Sequence, residues 1–238
     1  MTIRDTIESF RHFIEDASGR PTSDSLIPNR FMYYTLLRER NRILEREYKR
    51  NTFFVNNEVV VNIPCIPMEE VDLVELDFAP KTGCYIMKSE QPLPEMLFEL
   101  PFSVTDVSGR GEFDFVRWNY FQYKLGSRVK AERDAKYYSI KFINGLPYLY
   151  LFNARGFKAA SVDIVPEDVL DYHYFKGCGK ERPFCSPLDE QFLIPTELQT
   201  EIFQAAYAMI QSGQALGRGT DIINNDNDDT KSPLGGKQ

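Results

Sequence analysis

Histidine is nearly missing from these 238 residues: there are two, His12 and His173. Without an imidazole cluster, neither a histidine metal site nor a proton shuttle has its usual parts. Long apolar runs are missing too, and none approaches the roughly 18 residues that a membrane helix needs. The N-terminus has no secretory h-region, so the expectation is a soluble protein made in a cytoplasm, with no membrane partner. Cysteine is sparse. Cys65, Cys84, Cys178 and Cys185 form no CxxC pair, so reduced thiols are expected. His173, Cys178 and Cys185 match no zinc spacing and lack a fourth ligand.

The P-loop, GxGxxG, G-x-S-x-G, HExxH and kinase-type runs are absent as well. Gly109-Arg110-Gly111 is too short to cradle a phosphate and reads as a turn. The pairs Glu69-Glu70 and Asp228-Asp229 are adjacent in sequence, so they do not face each other across a site. The Asn/Asp-rich end lacks the central Gly and terminal Glu of an EF-hand. The reading is of a non-enzyme, with no catalytic residues, no metal and no cofactor. Positive charge is also in deficit: the net charge is −7 and the pI near 5.1, which argues against a general nucleic-acid binder.

What is present begins with Ser25–Arg50. Ile27, Phe31, Tyr34, Leu37, Leu44 and Tyr48 fall on one side of a helix, with Asn41 the one polar residue on that seam. Pro28 suits the first turn, and Asp24 or Ser25 can cap it. At roughly 1.5 Å per residue the helix would approach 40 Å. Arg38, Arg42, Arg46 and Arg50 repeat at steps of four, so they stack and repel. Glu39, Glu45 and Glu47 relieve part of this. Ser25–Arg50 carries seven Lys/Arg against three Glu, a balance of +4, which leaves −11 on the rest of the chain. A basic rod on an acidic body is what a subunit docking head-to-tail on its own copies would carry. The competing reading of the stripe is a solvated helix face.

Thr2–Ala17 repeats the helical pattern through Ile3, Ile7, Phe10 and Ile14, with Thr2 as cap. Gly19-Arg20-Pro21-Thr22-Ser23 stops it, so residues 1–51 read as an antiparallel helix hairpin whose apolar faces bury each other. Residues 52–165 read as a mostly antiparallel β module. Its expected strands are Phe53–Val55, Glu58–Ile63, Val71–Leu76, Cys84–Met87, Glu112–Trp118, Tyr137–Ile143, Tyr148–Phe152 and Ala160–Ile164, with prolines and glycines as punctuation and a turn at Asn56-Asn57. Asn144-Gly145 is the clearest hairpin turn. Phe121–Arg133, with Lys124, Arg128, Lys130 and Arg133, fits a short helix or a charged loop. Residues 166–217 read as loop plus a last helix. There Thr196 and Gln199 have capping-box spacing, Leu198, Ile202, Ala205 and Met209 form the buried stripe, and Gly213 ends the helix. Residues 218–238 read as a polar tail that is flexible or ordered by a partner. The fold class is α+β.

Five segments in order then carry a resemblance. They are SDSLIPNRFMYYTLLRERNRILERE, IPCIPMEEVDLVEL, GCYIMKSEQPLPEML, YYSIKFINGLPYLYLF and PLDEQFLIPTELQTEIFQAAYAMI, the last followed by the Asn/Asp-rich end. Together they span about Ser23 to Asp229 and resemble the head-to-tail connector or neck (tail-barrel) ring proteins of crAss-like tailed bacteriophages. After the last helix the chain departs from that pattern, with Gly217-Arg218-Gly219-Thr220 in place of a proline and an acidic residue.

The resemblance implies a structural virion protein made in the host cytoplasm. It would form a ring of typically twelve copies beneath the portal protein, join capsid to tail, contact adjacent tail ring proteins and surround the DNA channel. Sequence-independent contact with packaged DNA is part of that expectation. Arg30, Tyr34, Arg38, Asn41, Arg42, Arg46 and Arg50 on the long helix, with Tyr148 and Tyr150 on the aromatic hairpin, are the expected subunit interface. Asp221, Asn224, Asp226, Asp228 and Asp229 are the expected partner-ordered tail. Other readings remain at this stage: a tail-tube, stopper or cargo protein, or a small-molecule binding module.

Overall fold

The structure, a computed structural model, describes residues 1–18, 27–50, 58–71, 76, 85–109, 111–125, 127, 129–174, 178 and 186–212. Several expectations lie outside the described residues: the cap at Asp24 or Ser25, the stop at 19–23, the strand and turn at 53–57, most of Val71–Leu76, Cys84, Cys185, Gly213 and the tail. The chain divides into two units, Met1–Thr52 with Ile194–Gln238, and Phe53–Leu193. The first is helical and the second is mostly β, an α+β protein.

In the helical unit, α1 (Ile3–Ser18) starts as its sequence predicts. The Asp5 N–H donates to Thr2 Oγ1 and the Thr2 N–H donates to Asp5 Oδ2, both at 3.1 Å, a reciprocal cap that satisfies two end donors. Ile3, Ile7, Phe10 and Ile14 are buried. α2 (Asn29–Lys49) has Pro28 as its N-cap residue rather than inside the first turn. Its 21 residues span roughly 30 Å. Its buried face differs from the expected seam. Tyr34 and Tyr48 are exposed, while Met32, Leu36, Arg40 and Ile43 are among its most buried side chains.

The last helix, α6 (Gln199–Gln211), accounts for part of this. Phe203 meets Phe10 at 5.3 Å and Phe13 at 5.9 Å between ring centroids. The N-terminal helices therefore bury surface against a third helix as well as each other. α6 begins at Gln199 after a 3-10 turn over Thr196–Leu198, two residues later than the capping-box spacing implies. Ile202, Phe203 and Ala206 are its buried residues.

In the β unit, β1 (Val61–Glu70), β2 (Ile86–Ser89), β3 (Ser103–Asp106), β4 (Asp114–Phe115), β5 (Tyr137–Ile143), β6 (Leu146–Phe152) and β7 (Ala159–Ile164) form one sheet in the order β3-β7-β1-β2-β6-β5-β4. β1 runs through Pro64 and Pro67, which the sequence reading took as punctuation. The register slips between Ile63 and Ile66, and a bulge there accommodates a residue without an N–H. All pairs are antiparallel except β4 with β5. Glu112 also bridges Thr105 of β3, so the segment 112–115 touches both ends of the sheet and closes it. Ile63, Ile66, Val104, Phe113, Tyr138, Leu149, Leu151, Val162 and Ile164 fill one face. Burial pushes the Tyr138 hydroxyl up to about 12.

On the opposite face, α3 (Trp118–Leu125) lays Trp118 and Phe121 over Tyr150 and Phe152. A five-residue helix, α4 (Lys130–Asp134), follows, so the ambiguous basic stretch resolves as two short helices. The β5–β6 turn has Asn144 at φ +53° and Gly145 at φ +82°, the left-handed pair of a type I′ hairpin. A last short helix, α5 (Val169–Tyr174), sends the Tyr172 hydroxyl to the Asn62 carbonyl at 3.3 Å.

Ser139 on β5 is 1% exposed, and its Oγ has no hydrogen-bond partner among the described residues. A buried hydroxyl without a partner loses hydration and gains nothing. Ser139→Ala should therefore raise stability, by roughly 0.5–1 kcal/mol, read from urea unfolding. A loss of stability would show that the hydroxyl is satisfied.

A correction concerns the thiols. Cys65 on β1 and Cys178 form a disulfide, 113 residues apart in sequence, and the Cys178 N–H donates to the Cys65 carbonyl at 3.2 Å. Reduced thiols were expected because the spacing carries no signal, and only the fold brings the pair together. Cys178 is thereby removed as a metal ligand.

Candidate functional site

The arginine stripe lies in the helical unit. The structure divides it. Arg42 Nε donates to Glu39 Oε2 at 2.7 Å. Arg46 makes a two-pronged pair with Glu201 on α6, Nη1 to Oε1 at 2.6 Å and Nη2 to Oε2 at 3.0 Å, and its Nε donates to Glu47 at 2.9 Å. Arg50 Nη1 lies 3.8 Å from Glu47. The basic stripe expected to dock on another copy is therefore already neutralised within its own molecule over its C-terminal half. Arg40, counted among its cations, is fully buried and donates to Asn41 Oδ1 at 2.6 Å.

The N-terminal half differs. Arg30, Tyr34 and Arg38 are exposed at successive steps of four, which places them on one line along the helix. The Arg30 guanidinium lies over the Tyr34 ring at 5.7 Å, and Arg38 has no ion pair among the described residues. Asn41 is half-buried beside this line.

Glu201 is what the sequence reading missed. It sits 155 residues from Arg46, and no local pattern joins them. Arg46 holds the Glu201 carboxyl below its ordinary value, chiefly through these hydrogen bonds. A depressed folded value means that the stabilisation is fully present above the ordinary carboxylate range, roughly 4.3, and is lost as pH falls through the folded value. Arg46 is 32% and Glu201 43% exposed, so the pair should contribute less than about 1 kcal/mol. Urea unfolding of wild type and Glu201→Gln should show that difference at pH 6 and its decline as pH falls into the acid range. A difference that does not change with pH would exclude the ion pair as its source.

In the β unit the two hairpin tyrosines part company. Tyr150 is 2% exposed, with its ring 4.7 Å from Trp118. Tyr148 is half-buried and carries Lys88 Nζ 5.0 Å from its ring centroid. Only Tyr148 has surface left to offer a partner. Phe142 (56%) and Leu146 (45%) near the hairpin tip, and Tyr120 (59%) and Tyr123 (69%) on α3, are the more exposed apolar groups. The residues expected in the tail, Asp221, Asn224, Asp226, Asp228 and Asp229, lie outside the described residues.

Among the described residues no group of His, Cys, Asp and Glu is arranged to hold a metal, and no helix is long and apolar enough to cross a membrane. What the arrangement offers is surface: a cationic-aromatic helix face and an aromatic hairpin. The family model for phage tail ring protein 2 matches residues 16–230. No curated protein matches the chain.

Proposed function

From the premise that this chain belongs to the phage tail ring protein 2 family of crAss-like phages, a structural ring component of the virion, we propose that it forms the ring below the portal that joins capsid to tail. In this reading twelve copies surround the DNA channel and contact the portal protein and the adjacent tail rings. Neighbouring copies meet through the outer face of α2 and through the β5–β6 hairpin, with Arg30, Tyr34, Arg38, Asn41, Arg42 and Tyr148 at the contact. Arg46 and Arg50 support that face from behind, paired as they are with Glu201 and Glu47.

The observation that carries the reading is the exposed line Arg30–Tyr34–Arg38. It stands without a carboxylate partner for Arg38 among the described residues, on a chain whose charge is otherwise strongly acidic. Acidic surface on the next copy supplies what this line lacks. Any of these arginines that faced the channel would touch DNA phosphates without reading sequence.

Mass photometry of the full chain tests this. Twelve copies of a 27.6 kDa chain give a particle of about 330 kDa. Arg30→Glu combined with Arg38→Glu, both exposed, should leave the unfolding midpoint nearly unchanged and abolish the particle. Arg46→Glu serves as a contrast: it sets three carboxylates together and should lower stability instead. Rings that survive the Arg30/Arg38 reversal would mean that the line is solvated and the contact lies elsewhere.

A further inference from the structure

The β unit holds a second basic surface, and it is built differently from the first. Arg117–Lys141 carries seven Lys/Arg against Glu132 and Asp134, a balance of +5 within 25 residues. The fold gathers this stretch at one corner. α3 lies on β5 and β6 through Trp118, over whose ring Lys141 Nζ sits at 4.5 Å. Lys124 Nζ reaches Glu132 of α4 at 3.1 Å, and Ser127 Oγ donates to the same carboxylate at 2.7 Å. Arg117 and Lys130 are exposed, with Tyr120 and Tyr123 between them in sequence, also exposed and in ring contact at 6.3 Å.

The same corner has an open backbone edge. On the side away from β6, β5 is paired only at Tyr137 and Tyr138. The Tyr138 carbonyl points that way, accepting from the Val116 N–H at 2.9 Å. With a period of two, the N–H and C=O of Ile140 and Phe142 point the same way. No strand among the described residues covers them.

We infer that this corner receives the Asp-rich C-terminal segment 220–229 of a second copy of the chain. That segment carries Asp221, Asp226, Asp228 and Asp229 with no cation, a complement to the basic corner. Thr220, Ile222 and Ile223 are β-branched residues suited to a strand edge, and the aspartates that follow suit Arg117 and Lys130. Asp229 lies 17 residues beyond Ser212, up to roughly 60 Å when extended, which reaches a neighbouring copy in a ring. Exposed aromatics among cations also suit nucleic acid. An open strand edge, however, pairs with a peptide backbone, and the remainder of the β unit is acidic enough to repel DNA. The inference rests on the ring reading, which sets a second copy alongside.

The test uses the full chain with p-benzoylphenylalanine at Tyr123, mixed with an equal amount of 15N-labelled protein without the photo-label. After illumination, light–heavy cross-links should map to the tryptic peptide 219–231. Arg117→Glu with Lys130→Glu should lower their yield at least fivefold, and adding Asp226→Lys with Asp228→Lys should restore it. Cross-links confined to light–light pairs would place the tail on its own molecule and overturn the inference. Rings in mass photometry without tail cross-links would overturn it while leaving the ring reading intact; a monomeric chain would sink both. Binding of a DNA 30-mer that is lost in the Arg117/Lys130 variant, with tail cross-links unchanged, would assign the corner to nucleic acid instead.

Discussion

Reduction of the Cys65–Cys178 bond, or Cys65→Ser, should destabilise the β unit by about 2–4 kcal/mol. The bond closes a loop of 113 residues, and holding two such distant points together removes much of the freedom of the unfolded chain. A chain-entropy treatment gives close to 5 kcal/mol for a loop of this size, and measured values commonly fall below that bound. Cys178 is exposed, so dithiothreitol can reach it without prior unfolding. The single tryptophan, Trp118, packs on Tyr150 and Phe152, so its emission reports on this unit. Urea midpoints followed by Trp118 fluorescence should fall on reduction. The bond joins two residues of the β unit, so far-UV signal from the helical unit should hold. Equal midpoints with and without reductant would show that the bond constrains nothing.

Phe121→Ala should be at least as damaging, at about 3–5 kcal/mol. Phe121 is fully buried and stacks on Phe152, so truncation removes a large apolar contact and leaves a void. α3 has eight residues, too few for an isolated helix to persist in water. Its helicity is maintained by docking. Losing the Phe121 anchor should therefore release Trp118 as well, exposing Tyr150 and Phe152. The expected observations are a red shift of the tryptophan emission and a weakened near-UV circular dichroism band. Phe121→Leu, which keeps most of the volume, should cost under about 1.5 kcal/mol. If the Ala variant retained the wild-type emission, α3 would be held by something other than this contact. The same variant should scatter the basic corner, because α3 carries Tyr120, Tyr123 and Lys124.

Elements whose signal is local were legible before the structure. Thr2 caps α1, and Ile3, Ile7, Phe10 and Ile14 are its buried face, because capping and a 3.6-residue period are decided within a few residues. Asn144-Gly145 turns the β5–β6 hairpin because few residue pairs adopt two left-handed conformations in succession. Other features were misread for equally physical reasons. β1 passes through Pro64 because a bulge there absorbs the missing N–H. β3 was not expected at all, since Ser103–Asp106 is short and makes sense only beside β7 and Glu112. On α6 the buried stripe turned by about one residue toward Phe203, whose aromatic partners belong to α1.

The interaction surface was legible as charge and not as contact. Arg38, Arg42, Arg46 and Arg50 align on a helix by arithmetic alone, and the basic excess of Arg117–Lys141 can be counted. Arg42 and Arg50 are neutralised by neighbours on their own helix, but the second carboxylate on Arg46, Glu201, comes from far away in the chain, as does the Trp118 ring that covers Tyr150. The sequence by itself determined the three long helices, the hairpin turn, the absence of any recognisable catalytic motif and the family. Tertiary structure alone decided the closure of the sheet, the Cys65–Cys178 bond and the division of the arginine stripe. Secondary structure and composition are properties of neighbouring residues, whereas ion pairs, disulfides and open strand edges exist only once distant segments share one place.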